Sequence, residues 1–549
     1  MTVTVYNVLN NDVFGRYIVA ARNLKQGQLI LKESPALIGP QLNGSMVCFN
    51  CCKNLRRIGY IFCPNCKTAI ICNPKCTGRF HNDLECQQLK DSHLKGEDIV
   101  NNEQIIFPLR ILLLKFYNPE KWSHIMKLEP HMNFRRDTPI WRRHKIVVED
   151  ALKSLNLLND QDVTEEIVQR ICGILDVNTF EVRPSQTETS IVNPEVECLR
   201  GLYLEAALMT HDCLSNTHLS VDSSFVMTVH ASVDIPKGEI IYFNYANVLQ
   251  GSFNRKQHLR EGKYFECQCQ RCKDPTELGS ELSSLKCHKC IRGTIRPAKP
   301  HEIKTNWECV RCKTIFAEGL IRLTVAEGKR LIQDVDLSNL KMMEELLEKL
   351  QRTFHPQHYL IMDLVQNLIS QYGRSIPSKR NLARKVDLCN RLLKVLDKIE
   401  PGISRLRAIT MYELQSTEID LAHKEYRDKE ISINDLINRL IDAEGTLKTA
   451  AKYLLYEPQR SPEGHIAQNA LSELKLLRQS IISIQRDAIN VPPEKITKKK
   501  KEFKNKHESE KVITLKEVNS KKEEGGKGED TKVNSTEGKK KRRNRKKNK

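Results

Sequence analysis

The stretch THDCLSN (residues 210–216) sets a histidine, a cysteine and an asparagine between apolar runs, and its reading decides the fold. Further along, YFECQCQRC (264–272) supplies Cys267, Cys269 and Cys272. Three thiolates leave a tetrahedral structural zinc one ligand short. The missing ligand must come from elsewhere in the chain, and Cys213 is a candidate. On that reading one metal ties together two segments that are distant in sequence.

The other cysteines fall into sets of the same kind. Of 19 cysteines, only Cys389 lies beyond residue 312. Paired C-x-x-C spacings in an intracellular chain of this size point to zinc rather than to disulfides. Between residues 48 and 86 the spacings are Cys48-x2-Cys51, Cys63-x2-Cys66, Cys72-x3-Cys76 and His81-x4-Cys86. Eight soft ligands make two closed tetrahedral sites. So short a segment can hardly build a core, so the metal must supply its folding energy. Cys52 is a spare thiol that could substitute for Cys51. Cys287-x2-Cys290 and Cys309-x2-Cys312 fit a zinc ribbon, with Trp307 and Gly293 suited to its small hairpins. The count is about four zinc per chain. Cys52, Cys172, Cys198 and Cys389 need be no more than small apolar residues.

At 549 residues the chain is long enough for several domains. Its first residues lack the basic start and apolar run of a signal peptide. No apolar stretch approaches the ~18–20 residues that span a bilayer. The expectation is a soluble intracellular protein with no membrane contact. The net charge of +20 is largely a tail property: residues 494–549 hold 22 Lys and Arg against 10 Asp and Glu. That tail has few large apolar residues and cannot bury enough surface to fold. It ends KKKRRNRKKNK, which reads as a solvated tail, a nuclear import signal or a non-specific nucleic-acid contact.

Between these regions two patterns stand out. RYIVAARNLKQGQLILKESP reads as two short strands around a Lys-Gln-Gly turn, and SSFVMTVHASVDIPKGEIIYFNY as β-rich. From about 320 to 490 the apolar period becomes 3.6. Met343, Leu347, Leu350 and Phe354 mark one helix. Ile361, Leu364, Val365, Leu368, Ile369 and Tyr372 mark the next, with Gly373 as its C-terminal cap. Leu382, Val386, Cys389, Leu393 and Leu396 mark a third. Short connections imply antiparallel helix pairs, although a strict 34-residue repeat is not visible.

The ligand order at 48–86 resembles a MYND zinc finger. Followed by GLYLEAALMTHDCLSN, GEIIYFNY and FECQCQRC, it resembles the SET-and-MYND (SMYD) family, and its inserted ribbon and deviant motifs resemble the insect members. The resemblance covers about residues 3–275, and the helical region is similar to that family's C-terminal domain. It implies an α+β multidomain chain. A β-rich SET fold (1–46 and 201–275, the latter with a post-SET zinc site) is split by the finger (47–86) and a helical insert (87–200). A zinc-ribbon-like insert (276–320), a helical TPR-like domain (321–490) and a disordered basic tail (491–549) follow. In that family the finger's sites interleave, pairing Cys48, Cys51, Cys72 and Cys76 on one zinc and Cys63, Cys66, His81 and Cys86 on the other. Four residues separate His81 from Cys86 instead of the usual three.

The resemblance further implies a protein-lysine methyltransferase using S-adenosyl-L-methionine (SAM), acting on a histone or another protein. A narrow channel would desolvate the target lysine and favour the neutral amine that attacks. Tyr245 matches the catalytic tyrosine. Gly15, with Arg16 and Tyr17, matches the family's GxG cofactor loop, and Asn178 an Asn that contacts SAM. Thr210 and His211 match the Asn-His pair of its cofactor motif, and Phe265 an aromatic that packs on the adenine. Cys213 matches the Cys that completes the downstream zinc site. Three departures stand out: Tyr17 replaces the second glycine, Thr210 an Asn that hydrogen-bonds SAM, and Ser215 a proline. The alternative is a catalytically weak SET platform and transcriptional regulator whose finger recruits proline-containing peptides. A monomer in nucleus and cytoplasm, associated with chromatin, is the expectation under either.

Overall fold

The computed structural model describes residues 4–41, 46–55, 58–78, 80–92, 94–183, 199–302 and 304–490. Cys198 and the basic tail lie outside them. Residues up to Arg486 form one unit; of the remainder, only the last turn of the Pro462–Asn490 helix is described. No helix among the described residues is long and apolar enough to cross a membrane.

The N-terminal part is built from short ladders. Tyr6–Asn11 pairs antiparallel with Gly15–Ala20. The tight link between them forms because the Asn11 side chain accepts the backbone N–H groups of Val13 and Phe14, and Gly15 takes φ +63°. The two strands expected around the Lys-Gln-Gly turn do form, yet they do not pair with each other. Gly15–Ala20 pairs with the upstream strand, whereas Leu29–Glu33 joins Met227–Ala231 and Thr217–Val221 in a three-stranded sheet. A second sheet runs Leu37–Pro40, Leu199–Leu202, Thr179–Val182. Ile18, Ile38, Tyr203, Met227, Val229 and Ile241 fill the core between them.

The Ile106–Tyr117 helix is buried along most of its length and lies on Leu37–Pro40. The approach is so close that a Cβ on Gly39 would fall on the Phe107 ring. Arg110, fully buried on this helix, donates to the carbonyls of Ile38 and Phe49 and forms an ion pair with Glu85. One guanidinium thus fastens the cysteine-rich segment to the sheet.

Leu285–Lys286, Thr294–Pro297, Trp307–Cys309 and Ile315–Phe316 form a four-stranded antiparallel ribbon. Seven helices follow between Glu318 and Asn490. Serine caps start three of them, with Ser378, Ser404 and Ser432 accepting the N–H of Asn381, Arg407 and Asp435. Ile361, Leu364, Val365 and Leu368 are wholly buried, as the 3.6-residue stripe requires. Two details differ from the sequence reading. Phe354 lies beyond the Leu340–Leu350 helix, in a turn bridged to Leu285, so its burial is not that of a helix face. Gly373 is helical, and the helix runs on to Arg374 before Ser375-Ile376-Pro377 ends it.

The helices grip the sheet directly. Ile403 N–H donates to the Ser232 carbonyl, and Gly402 leaves no room for a side chain against that carbonyl. Glu457 meets both Arg405 and His218 at 2.7 and 3.0 Å.

Candidate functional site

Sixteen donor residues converge in four sets, each with its ligand atoms within 4.8 Å of one another. The sets are Cys48, Cys51, Cys72, Cys76; Cys63, Cys66, His81, Cys86; Cys213, Cys267, Cys269, Cys272; and Cys287, Cys290, Cys309, Cys312. A zinc–sulfur bond of ~2.3 Å gives a tetrahedron with sulfur–sulfur edges of about 3.8 Å. The observed edges are 3.8 Å for Cys48–Cys76, 3.7 Å for Cys51–Cys72, 3.9 Å for Cys63–Cys86, 3.6 Å for Cys213–Cys272 and 3.7 Å for Cys290–Cys309. These are far too long for disulfides and fit the zinc geometry. Cys51 belongs to its set and Cys52 does not. Cys52 is buried near Arg110, and burial pushes its thiol up to about 12.

His81 points Nε2 at the Cys66 sulfur, 3.5 Å away. Behind it Nδ1 faces the Glu85 carboxylate at 3.5 Å, and Arg110 holds that carboxylate. A carboxylate behind an imidazole is the support a metal-binding histidine needs. Sequence spacing carried no sign of this chain, because Arg110 lies on the helical insert.

The third set makes one wall of the remaining site. Arg255, buried on the Ser252–Lys263 helix, aims Nε at the Cys213 sulfur (3.4 Å) and another nitrogen at that of Cys272 (3.6 Å). It also meets the buried Glu277 carboxylate at 2.5 Å, and Arg271 approaches the same oxygen at 3.3 Å. Burial alone would raise the Glu277 carboxyl, but the two guanidinium groups hold it below the usual carboxylate range.

Above that wall sit the aromatic residues. Thr210–His211 runs parallel to Tyr242–Phe243, which sets His211 beside Tyr245. Nδ1 of His211 accepts the Tyr245 N–H at 3.0 Å, so Nε2 carries the proton and faces the Cys213 sulfur at 3.3 Å. The His211 ring lies 5.2 Å from Tyr245 and 5.6 Å from Phe265. The Tyr245 hydroxyl donates to the Met209 carbonyl, and burial raises its phenol well above the usual range. Thr210 is buried, and its hydroxyl has no hydrogen-bond partner among the described residues.

The other residues expected at a cofactor site make contacts elsewhere. Asn178 donates to the Glu129 carbonyl at 2.9 Å, and Arg16 to the Lys127 carbonyl at 3.0 Å, so both line the same 127–129 segment. Tyr17 stacks edge-on against Phe14 with centroids 5.5 Å apart. Gly15 is exposed and open; its conformation, rather than crowding, disfavours a side chain. Sequence reasoning missed Lys263. Its ammonium donates to the Val177 carbonyl at 2.6 Å and lies 5.7 Å from the Tyr245 ring centroid.

Residues 15–246 match the SET domain family. The chain is 24% identical over 425 residues to "SET domain-containing protein SmydA-8, isoform A" of Drosophila melanogaster, covering 75% of this chain and 88% of that protein. It is 26% identical over 366 residues to "Histone-lysine N-methyltransferase SMYD3" of Mus musculus, covering 62% and 80%. It is 24% identical over 286 residues to "Histone-lysine N-methyltransferase ASHR2" of Arabidopsis thaliana, covering 47% and 69%.

Proposed function

Because the chain belongs to the SET-and-MYND family of SET-domain proteins, as an insect-type member, we propose that it is a SAM-dependent protein-lysine N-methyltransferase. The observation that carries the reading is the mutual packing of His211, Tyr245 and Phe265 beside the strand that holds Thr210, whose buried hydroxyl has no partner among the described residues. A buried polar atom without a partner costs about 1–3 kcal/mol, and a bound polar ligand removes that cost. Thr210, His211, Asn178 and Phe265 would hold SAM, which supplies an electrophilic methyl group. Tyr245 would orient the target amine, with its backbone fixed by His211 and its hydroxyl by Met209. Half-buried surroundings favour the neutral amine by desolvation. The Cys213 set, holding zinc, would lock THDCLSN against FECQCQRC so that both walls keep their spacing. The other three sets would hold structural zinc.

A catalytically weak platform is the second reading. It is favoured by the short Thr210 side chain, which offers one hydroxyl where an amide would offer more. Labelled methyl transfer to a lysine peptide array separates the two readings. Transfer that is lost in Tyr245→Phe, with SAM affinity retained, supports the enzyme. SAM binding with no transfer to any lysine peptide or to core histones supports the platform.

A further inference from the structure

Lys263 ends the Ser252–Lys263 helix, and its half-buried side chain reaches the end of the Glu165–Asn178 helix. Its ammonium donates to the carbonyls of Val177 (2.6 Å) and Asp176 (3.3 Å). Both belong to the last turn of the Glu165–Asn178 helix, where carbonyls lack intrahelical partners and the dipole is negative. The same ammonium lies 5.7 Å from the centroid of the Tyr245 ring. An aromatic ring with carbonyl oxygens beside it is what an alkylammonium needs when it leaves water. The Asp176 carboxylate is engaged by Arg135 and Arg200, at 3.0 and 3.3 Å. Much of the attraction for a cation therefore comes from the carbonyls and the ring.

A cavity adjoins the seat at Asp176. This cavity of about 520 Å³ is lined by Asp176, Arg200, Glu261, Gly262 and Tyr264, the last three flanking Lys263 in sequence. Across it Tyr264 packs on His131 and Phe134. Burial lowers the Lys263 ammonium to about 8, partly offset by Asp176. Helix capping alone accounts for the carbonyl bonds. It does not call for the Tyr245 ring or for an open cavity alongside.

We propose that this place is an alkylammonium seat occupied by the chain's own Lys263, which an incoming lysine side chain must displace. That the displacing cation is a protein lysine rests on the methyltransferase reading; the seat itself does not. Self-occupancy holds peptide turnover down until Lys263 is moved.

The test titrates n-butylammonium and the neutral isostere 1-butanol, without SAM, into the zinc-loaded wild type, K263A and K263Q. K263A is expected to bind n-butylammonium about tenfold or more tightly than wild type does, the gain of one charge-assisted hydrogen bond, and in preference to 1-butanol. K263Q retains an amide donor for the two carbonyls and keeps the fold. With no charge to compete, it is expected to bind n-butylammonium more tightly than wild type, and this arm decides if K263A does not fold; where the chain is active, its peptide KM falls as well. Equal affinity of K263A for 1-butanol, or wild-type affinity for n-butylammonium, would overturn the seat and leave Lys263 a helix cap. Absence of SAM binding would instead sink the methyltransferase reading and leave the n-butylammonium result standing.

Discussion

Arg255→Met removes a side chain that touches two sulfurs of the third donor set and the Glu277 carboxylate together. Arg255 is 0% and Glu277 2% exposed at the side chain, so neither group is rehydrated when its partner goes. Breaking a buried ion pair by deleting one member costs about 3–5 kcal/mol. Arg271 remains near Glu277 at 3.3 Å and recovers part of this, which places the expected loss toward about 3 kcal/mol. A second effect accompanies it. Four thiolates around a divalent ion carry net negative charge, and Arg255 is the cation pressed against two of them. The assay is paired: urea unfolding of the zinc-loaded chain, and zinc release to a chromophoric chelator. Arg255→Met should unfold at lower urea and give up one zinc faster than wild type. Arg255→Lys, which keeps charge but loses the planar fork, should fall between them. A variant within about 0.5 kcal/mol of wild type, with unchanged zinc release, would refute the charge-compensation argument.

Metal analysis of the purified chain should find about four zinc, matching the four donor sets, and His81→Ala should remove one; two or fewer in the wild type would contradict the scheme. Thr210→Asn should tighten SAM binding about 5-fold or more, the gain of one buried hydrogen bond; unchanged affinity by calorimetry would clear Thr210 of any cofactor role. Glu457→Gln should loosen the helices from the sheet, seen as faster limited proteolysis near residues 400–405, since it strips both Arg405 and His218 of their partner. Burial alone would raise the Glu457 carboxyl, but His218 and Arg405 hold it below the usual range. Its stabilisation is therefore present above the ordinary glutamate range and lost as pH falls through the lower folded value. Acid unfolding should accordingly start at higher pH in the Gln variant; an identical acid limb would show that the contact contributes nothing.

What could be read from the sequence follows from which interactions are local. The C-x2-C spacings grouped donors because a turn of that length points two thiols at one ion; the deficit after Cys272 made Cys213 a candidate, and the family resemblance assigned it. Buried stripes such as Ile361–Leu364–Val365–Leu368 could be read because helix geometry repeats. Strand partners could not. Nothing in NDVF marks residues 11–14 as a hairpin, since the Asn11 side chain supplies the turn without Asn-Gly or Gly-Gly. Lys263, Arg255 and Arg110 were invisible for another reason. Each caps, neutralises or clamps a group far away in sequence, and no local period records that. Gly373 misled because a glycine near a helix end resembles a cap, whereas Pro377 sets the stop.

The most direct test of the central claim is a calorimetric titration of SAM into the full zinc-loaded chain. Saturable one-to-one binding, tightened in Thr210→Asn and retained in Tyr245→Phe, is the predicted result. No detectable binding at millimolar SAM would contradict it.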